Sequence, residues 1–215
     1  TCGASIAAGE VDLAVNPGLA PDAVKRIAGE GGPVSIVTGP GGGVQFVVLN
    51  VESPALADVR MRRALALAVD RRALVEALAG GRARLATSPL PPDHWAAARD
   101  VAPVGYDPDA ARRLVEEAAG AGTRLELMVL PSTADRDLAA VLQESWRAIG
   151  VEVDVVPVEG VVFLERLAKG SFVAALHRFT GGNQFTTIFK GAFHSRSIHT
   201  GARGELNYAR LSDPQ

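Results

Sequence analysis

The sequence predicts an α/β fold in which helices cover a sheet whose strands are joined by crossover connections. From Leu125 onward, the hydrophobic pattern alternates between strand and helix. Apolar residues make up 47% of the 215 residues, which is enough for a buried core. The formal net charge of -2 argues against a nucleic-acid surface or a basic membrane patch. No apolar run approaches the ~18 residues that a transmembrane helix needs.

The N-terminal part of the chain predicts only short elements. Residues 4–30 predict a helix, a short strand within Gly9–Ala14 and a second helix that begins at Pro21 and Asp22. Val34–Val37 predicts another short strand.

A glycine-rich segment, Gly39–Gly43, precedes the clearest strand in this half of the chain. A phosphate-binding loop would end in Gly-Lys-Ser/Thr and lead into a helix. Here the glycines lead into Val44–Asn50, which is rich in β-branched and aromatic residues. The pattern therefore predicts a connector or hinge followed by a buried strand.

One long helix is predicted over residues 58–79. Asp58 is expected to cap its N-terminus, because a carboxylate accepts hydrogen bonds from the N–H groups of the first turn. An apolar stripe predicts one buried face, formed by Met61, Leu65, Ala68, Val75 and Leu78. The next segment, residues 86–106, is rich in proline and glycine and is predicted to be irregular. It carries Trp95, which is expected either to pack against the domain or to contact a ligand.

The remaining elements follow the alternating pattern. A helix over residues 107–119 has Pro108 in its first turn, where the missing N–H costs nothing. Strands are predicted at Leu125–Leu130, Val151–Val156 and Phe172–Phe179, and helices at about 134–149, 160–168 and 185–192.

The best candidate ligand segment comes where the last of these strands ends. Phe179 offers an aromatic wall, and Gly182 allows a ligand to approach the backbone closely. Asn183 and Gln184 supply hydrogen-bond donors and acceptors. The alternative interpretation is an ordinary exit from a strand into a loop.

Other chemistry has weaker support. His177, His194 and His199 could be taken for metal ligands, but no carboxylate or cysteine cluster accompanies them. Ser195 with His194 and Asp213 lacks the Gly-x-Ser-x-Gly turn of a hydrolase nucleophile. The single Cys2 cannot form an internal disulfide. The sequence therefore predicts neither an enzyme nor a cofactor.

Several phrases occur in one order along nearly the whole chain. They are Ala8–Leu13, Pro54–Arg71, Ser88–Pro92, Tyr106–Arg112, Leu142–Val153, Phe163–Phe172, Phe193–Ser195, Asn207–Tyr208 and Ser212–Pro214. Together they resemble the family 5 extracellular solute-binding proteins, the peptide-, nickel- and glutathione-type receptors of bacterial ABC importers.

The resemblance implies a periplasmic-binding-protein-like fold of type II, in which two lobes close around a ligand. It implies that residues 1–47 are the tail of the first lobe with the crossover, and that residues 48–215 are most of the second lobe. An export signal and the rest of the first lobe are expected before this chain, and the last helices after it. The strand Val44–Asn50 would cross between the lobes, which makes Phe46 and Asn50 candidate ligand contacts.

One departure from the family bears on the ligand. In peptide receptors of this family, the segment after the aromatic residue usually contains an acidic residue that pairs with the amino terminus of the peptide. Here Phe179 stands where Trp is common, and residues 180–187 contain no acidic residue. Because a carboxylate facing an ammonium group is a strong anchor, its absence favours a neutral or differently anchored solute.

The resemblance implies a receptor that binds an oligopeptide-like or other small polar solute for an ABC importer. Its expected partners are that ligand and a membrane permease, with no nucleic acid, and the complete protein is expected to be a monomer. The expected location is periplasmic or extracellular and membrane-associated. Two alternatives remain: the solute-sensing domain of a transcription regulator, and a truncated fragment that binds nothing.

Overall fold

A computed structural model describes residues 2–14, 24, 26–27, 34–37, 43–79, 83–92, 94–98, 100–118, 122–179, 190–198 and 205–212. Its strands are β1 (Val44–Leu49), β2 (Thr123–Val129), β3 (Val151–Pro157) and β4 (Ala174–Phe179). Its helices are α1 (Cys2–Ala7), α2 (Val59–Leu67), α3 (Arg71–Ala79), α4 (Pro108–Ala118), α5 (Thr133–Arg147) and α6 (Gly160–Lys169). Short 3-10 helices lie at Pro54–Leu56 and Ser195–Ser197.

The strands form one mixed sheet in the order β1-β4-β2-β3. β2 is parallel to both β3 and β4, and β1 is antiparallel to β4. Parallel neighbours need a crossover, and α5 and α6 supply those between β2, β3 and β4. The predicted α/β arrangement with crossover connections is therefore confirmed.

Each face of the sheet carries a hydrophobic core. On one face, α2, α4 and α5 pack around residues such as Leu65, Val115 and Trp146. On the other, α6 contributes Phe163 and Leu167, which pack against Val48, Met128 and Ala175 of the strands. Neighbouring residues of β1, β2 and β4 contribute to opposite cores, as the pleat requires; Leu127 and Met128 of β2 are an example.

The predicted helix over residues 58–79 is two helices, so that prediction was wrong. Asp58 does cap α2, since its side chain accepts from the N–H of Arg60 at 2.8 Å. Asp70 then caps α3, because its Oδ1 accepts from the N–H groups of Arg72 and Ala73, both at 3.0 Å. Aspartate favours this capping position over a helix interior, and the chain accordingly breaks over residues 68–70.

The two short N-terminal strands are also absent. The described residues 9–14 form a turn and irregular chain, and residues 34–37 have no regular structure. Val37 is 91% exposed, and a strand needs a hydrogen-bonded neighbour to be stable. Residues 24 and 26–27 are helical as expected. Pro21 and Asp22, and the connector apart from Gly43, lie outside the described residues.

Asn50, directly after β1, joins distant parts of the chain. It is 4% exposed, and its side-chain Nδ2 donates to the carbonyls of Gly170 at 3.1 Å and Phe172 at 2.9 Å. Its Oδ1 accepts from the N–H of Glu52 at 3.1 Å. The Asn50 amide thus anchors the end of β1 to the turn that follows α6.

The predicted lobe boundary between residues 47 and 48 falls inside β1. All six residues of this strand pair with β4, from Val44 opposite Phe179 to Leu49 opposite Ala174. Residues 190–193 are helical, in partial agreement with the predicted helix, and residues 185–189 lie outside the described part. Across the described ranges, no helix combines the length and apolar character needed to cross a membrane.

Candidate functional site

The candidate site lies at the carboxyl-terminal edge of the sheet. The parallel strands β2, β3 and β4 all end there, at Val129, Pro157 and Phe179. β1 is antiparallel, so its first residue, Val44, lies opposite Phe179 at the same edge. In open α/β sheets, ligands bind outside the carboxyl ends of the parallel strands.

An aromatic cluster lies on the α6 side of this edge; it consists of Phe46, Phe163, His177, Phe179 and Tyr208. The Phe46 and Phe179 ring centroids are 4.6 Å apart. His177 lies opposite Phe46 in the β1–β4 pair, and its ring is 5.8 to 5.9 Å from the other four. Phe163 is buried, whereas Phe46 and Phe179 are partly exposed. The exposed parts of these two rings form an apolar surface at the edge.

The cluster is uncharged near neutral pH. Burial lowers the pKa of His177 below its ordinary value of 6.5, because desolvation disfavours the imidazolium. Burial also raises the pKa of Tyr208 above 10.0, because desolvation disfavours the phenolate. The surface therefore suits apolar or aromatic parts of a solute.

A chain of polar side chains lies on the opposite face of the same edge. The Nε and Nη2 of Arg178 donate to Gln45 Oε1 at 2.9 and 2.7 Å. Gln45 Nε2 donates to Asp135 Oδ1 at 3.2 Å, and Ser132 Oγ donates to Asp135 Oδ2 at 2.8 Å. Ser132 is the N-cap of α5, so the helix start fixes one end of the chain.

The structure brings together only some of the predicted site residues. Phe46 and Phe179 are in contact, as their ring distance shows. Asn50 lies at the other end of β1, with its amide bonded to backbone groups. Trp95 is 72% exposed and stacks on His94, with 5.7 Å between ring centroids. Gly182, Asn183 and Gln184 lie outside the described residues.

A separate groove of about 340 Å³ lies between α3 and α5. It is lined by Leu74 of α3, by Tyr106 and by the C-terminal half of α5, including Val141 and Ser145. The aromatic and polar groups of the carboxyl-terminal edge do not line it.

The described residues contain no group of three His, Cys, Asp or Glu side chains placed to hold a metal ion. His194 is occupied otherwise, because its Nδ1 accepts from the N–H of Arg196 at 3.1 Å. His199 and Asp213 lie outside the described part of the chain.

Comparison with known proteins identifies the family of the chain. Residues 1–196 match the family described as bacterial extracellular solute-binding proteins, family 5 Middle. The chain belongs to this family. The resemblance seen in the sequence is thereby confirmed.

Family 5 relatives include the dipeptide-binding protein of Escherichia coli K12, which is 29% identical over 170 residues. That match covers 74% of this chain and 32% of the relative. Heme-binding protein A of Haemophilus influenzae is 27% identical over 186 residues, or 84% of this chain and 34% of that protein. The chain therefore spans about a third of the length of these curated relatives.

The oligopeptide-binding protein AppA of Bacillus subtilis, solved with a nonapeptide, has the same fold. Its TM-score is 0.83 at 22% sequence identity, with 99% of this chain and 44% of that chain covered. The predicted fold class, a type II periplasmic-binding-protein-like fold present in part, is confirmed.

In this family 5 chain, sequence reasoning missed Gln45 and Arg178 and considered His177 only as a metal ligand. Alternation along β1 and β4 places Gln45 and Arg178 on one face and Phe46 and Phe179 on the other. What the sequence did not provide is the register that sets Gln45 opposite Arg178, since these residues are far apart in the chain.

Proposed function

We propose that this family 5 chain is part of a receptor that binds a peptide-like or other small polar solute for an ABC importer. Residues 1–47 are the tail of one lobe with the crossover, and residues 48–215 are most of the other. The Phe46–Phe179 contact at the carboxyl-terminal edge carries this proposal, because it offers an apolar surface where ligands of α/β sheets bind. The relatives include dipeptide- and heme-binding proteins, which supports solute binding in general.

The receptor works by differential binding. A ligand that contacts both lobes only in the closed form shifts the equilibrium toward closure, and no covalent chemistry is needed. Phe46 and Phe179 contact the ligand from this lobe, together with Gly182, Asn183 and Gln184. Trp95 is a further candidate contact because so much of its ring is exposed.

The cellular setting follows the family. The closed receptor delivers its ligand to a membrane permease in the periplasm or at the outer surface of the membrane. It acts as a monomer and has no enzymatic activity. Asn50 is omitted from the proposed contacts because its amide is bonded within the fold.

Calorimetric titration of the chain with dipeptides, sugars and nickel tests the proposal. Binding is expected to be weaker than about micromolar, because one lobe supplies only half of a cleft. Phe179→Ala and Phe46→Ala are expected to weaken it roughly tenfold, since each removes an aromatic surface. Tyr106→Ala is the matched control, because Tyr106 is 55% exposed and lines the separate groove between α3 and α5.

Two results would count against the proposal. Sub-micromolar binding by this chain alone would contradict a half-formed cleft. Equal losses in Tyr106→Ala and Phe179→Ala would show that the aromatic edge is not the site.

A further inference from the structure

We propose that Arg178 binds an anionic group of the ligand, so that the solute carries a carboxylate beside an apolar or aromatic part. The inference rests on the proposed function and names the ligand class for the same edge of the sheet. Residues 180–187 lack the acidic residue that usually anchors a peptide in this family. Arg178 would anchor the ligand in its place, through an anionic group.

Among the described residues, the guanidinium of Arg178 bonds only to Gln45, which leaves its carboxylate-binding fork open. Arginine has five N–H donors, of which the Nε–H and one Nη2–H are directed at Gln45 Oε1. Within the described part of the chain, the two N–H groups of Nη1 and the second of Nη2 have no acceptor. One N–H from each of these nitrogens forms the parallel pair that matches the two oxygens of a carboxylate.

The guanidinium is also held in position before a ligand arrives. Gln45 is fixed in turn, since its Nε2 donates to Asp135 Oδ1 at 3.2 Å. Asp135 is bonded to Ser132 through Oδ2 and through its backbone N–H. A donor that is already oriented loses less conformational entropy on binding, which favours affinity.

No carboxylate forms an ion pair with Arg178 among the described residues. Arginines elsewhere in the described chain do have such partners, as in the Arg124–Asp154 and Arg166–Glu126 pairs. The Gln45 amide separates Arg178 from Asp135, the acidic residue of the polar chain. Residues 38–42 and 180–189, which flank the edge in sequence, contain no Asp or Glu. As far as the described residues go, the positive charge of Arg178 is therefore left for an anion of the ligand.

The apolar surface lies next to this cation. Arg178 and Phe179 are consecutive, and both pass close to Gly43. A Cβ at Gly43 would lie 3.0 Å from the Phe179 carbonyl oxygen and 3.4 Å from Arg178 Cδ. A solute placed across the strand end therefore reaches the Arg178 fork on one face and the Phe46–Phe179 surface on the other.

A titration with two matched probes tests the inference. N-acetyl-L-phenylalanine carries a carboxylate and an aromatic ring, and N-acetyl-L-phenylalaninamide differs from it only in lacking the charge. Each is titrated into the nitrogen-15-labelled chain at pH 7 and followed by NMR. The Arg178 Nε–H signal is identified by its loss in Arg178→Lys. We expect the acid to shift this signal and to bind roughly tenfold more tightly than the amide.

Variants locate the effect. Arg178→Gln should abolish the preference for the acid, and Arg178→Lys should reduce it, because lysine keeps the charge but not the fork. Arg124→Gln is the matched control: it removes the same charge near the amino-terminal end of β2, where Arg124 pairs with Asp154. It should leave the preference unchanged. Far-UV circular dichroism checks that each variant is folded.

The outcomes separate the two proposals. Equal affinity for acid and amide, or a preference that survives Arg178→Gln, would overturn the inference while leaving solute binding at Phe46 and Phe179 intact. Loss of the preference in Arg124→Gln would show a general charge effect and would also overturn it. No shift of any signal with either probe would count against both the inference and the proposed function.

Discussion

At the scale of single residues, His177 couples the aromatic cluster to pH. Burial lowers its pKa below 6.5 in the folded state, whereas the unfolded chain binds a proton with the ordinary pKa. Between these two values, the unfolded state carries more protons than the folded state. The free energy of unfolding therefore decreases as the pH falls below about 6.5, and the decrease ends below the folded-state pKa.

His177→Phe should remove this part of the pH dependence, because phenylalanine does not titrate. Urea unfolding at pH 7.5 and pH 5.0 measures the effect in the wild-type chain and in the variant. We expect the wild type to lose more stability than His177→Phe between these values. His194→Phe is the control, since His194 is an exposed histidine outside the cluster. An identical loss in wild type and His177→Phe would contradict the prediction.

At the scale of elements, the break between α2 and α3 is stabilised by hydrogen bonds from distant parts of the chain to the end of α2. The end of α2 leaves carbonyls without partners in the helix. Trp146 Nε1 donates to the Leu65 carbonyl at 3.0 Å, and the Asp107 N–H donates to the Leu67 carbonyl at 3.0 Å. Because α5 and the residue directly before α4 supply these donors, the break is part of the packed structure.

Asp70→Ala should destabilise the chain by about 1 kcal/mol, because it removes the side-chain cap of α3. Asp70→Asn should restore most of the loss, since asparagine also accepts from N–H groups of the first turn. Chemical unfolding measures both variants. Asp100→Ala is the control because Asp100 is an exposed acidic residue in the irregular segment. A helix that ran unbroken through residue 70 would instead gain stability from alanine.

The sequence predicted the elements better than their contacts. The strands β1 to β4 and the helices α4 to α6 all fall near their predicted ranges, because apolar periodicity and capping residues act locally. The break at Asp70 was missed because the apolar stripe continues through Val75. Its cause lies partly in Trp146, which is distant in sequence.

In the candidate site, too, the residues could be predicted better than their contacts. Phe46 and Phe179 could be proposed because aromatic residues at strand ends are visible in the sequence. Their contact, and the pairing of Gln45 with Arg178, depend on the register of β1 against β4. Asn50 showed the reverse: an amide expected to contact ligand is bonded to the turn after α6. A sequence alone does not distinguish these two uses of an amide.

At the scale of the whole molecule, one sheet supports two cores. Leu127 and Val129 of β2 lie in the core covered by α2, α4 and α5, and Met128 between them lies in the core under α6. Loss of either core would therefore expose one face of the same strand. This arrangement favours a single cooperative unfolding transition.

Probes on the two faces should give the same urea midpoint. In Trp95→Phe, the tryptophan fluorescence comes from Trp146 alone. This residue is 2% exposed and lies in the core covered by α2, α4 and α5. The ring protons of His177 report on the other face by NMR. Far-UV circular dichroism gives the reference curve for the whole chain. Clearly separated midpoints would show that the two cores unfold independently.

The pairing of β1 with β4 has a consequence for the order of folding. Among the described strands, β1 lies at one edge of the sheet beside β4, and Val44 pairs with Phe179. During synthesis, β1 leaves the ribosome long before its partner exists, whereas β2 and β3 are separated by a single helix. Because contacts between distant residues carry a larger loop-closure entropy, β1 is expected to join after the β2–β3 pair. The surface that Phe46 and Phe179 share can form only when this last pairing is complete.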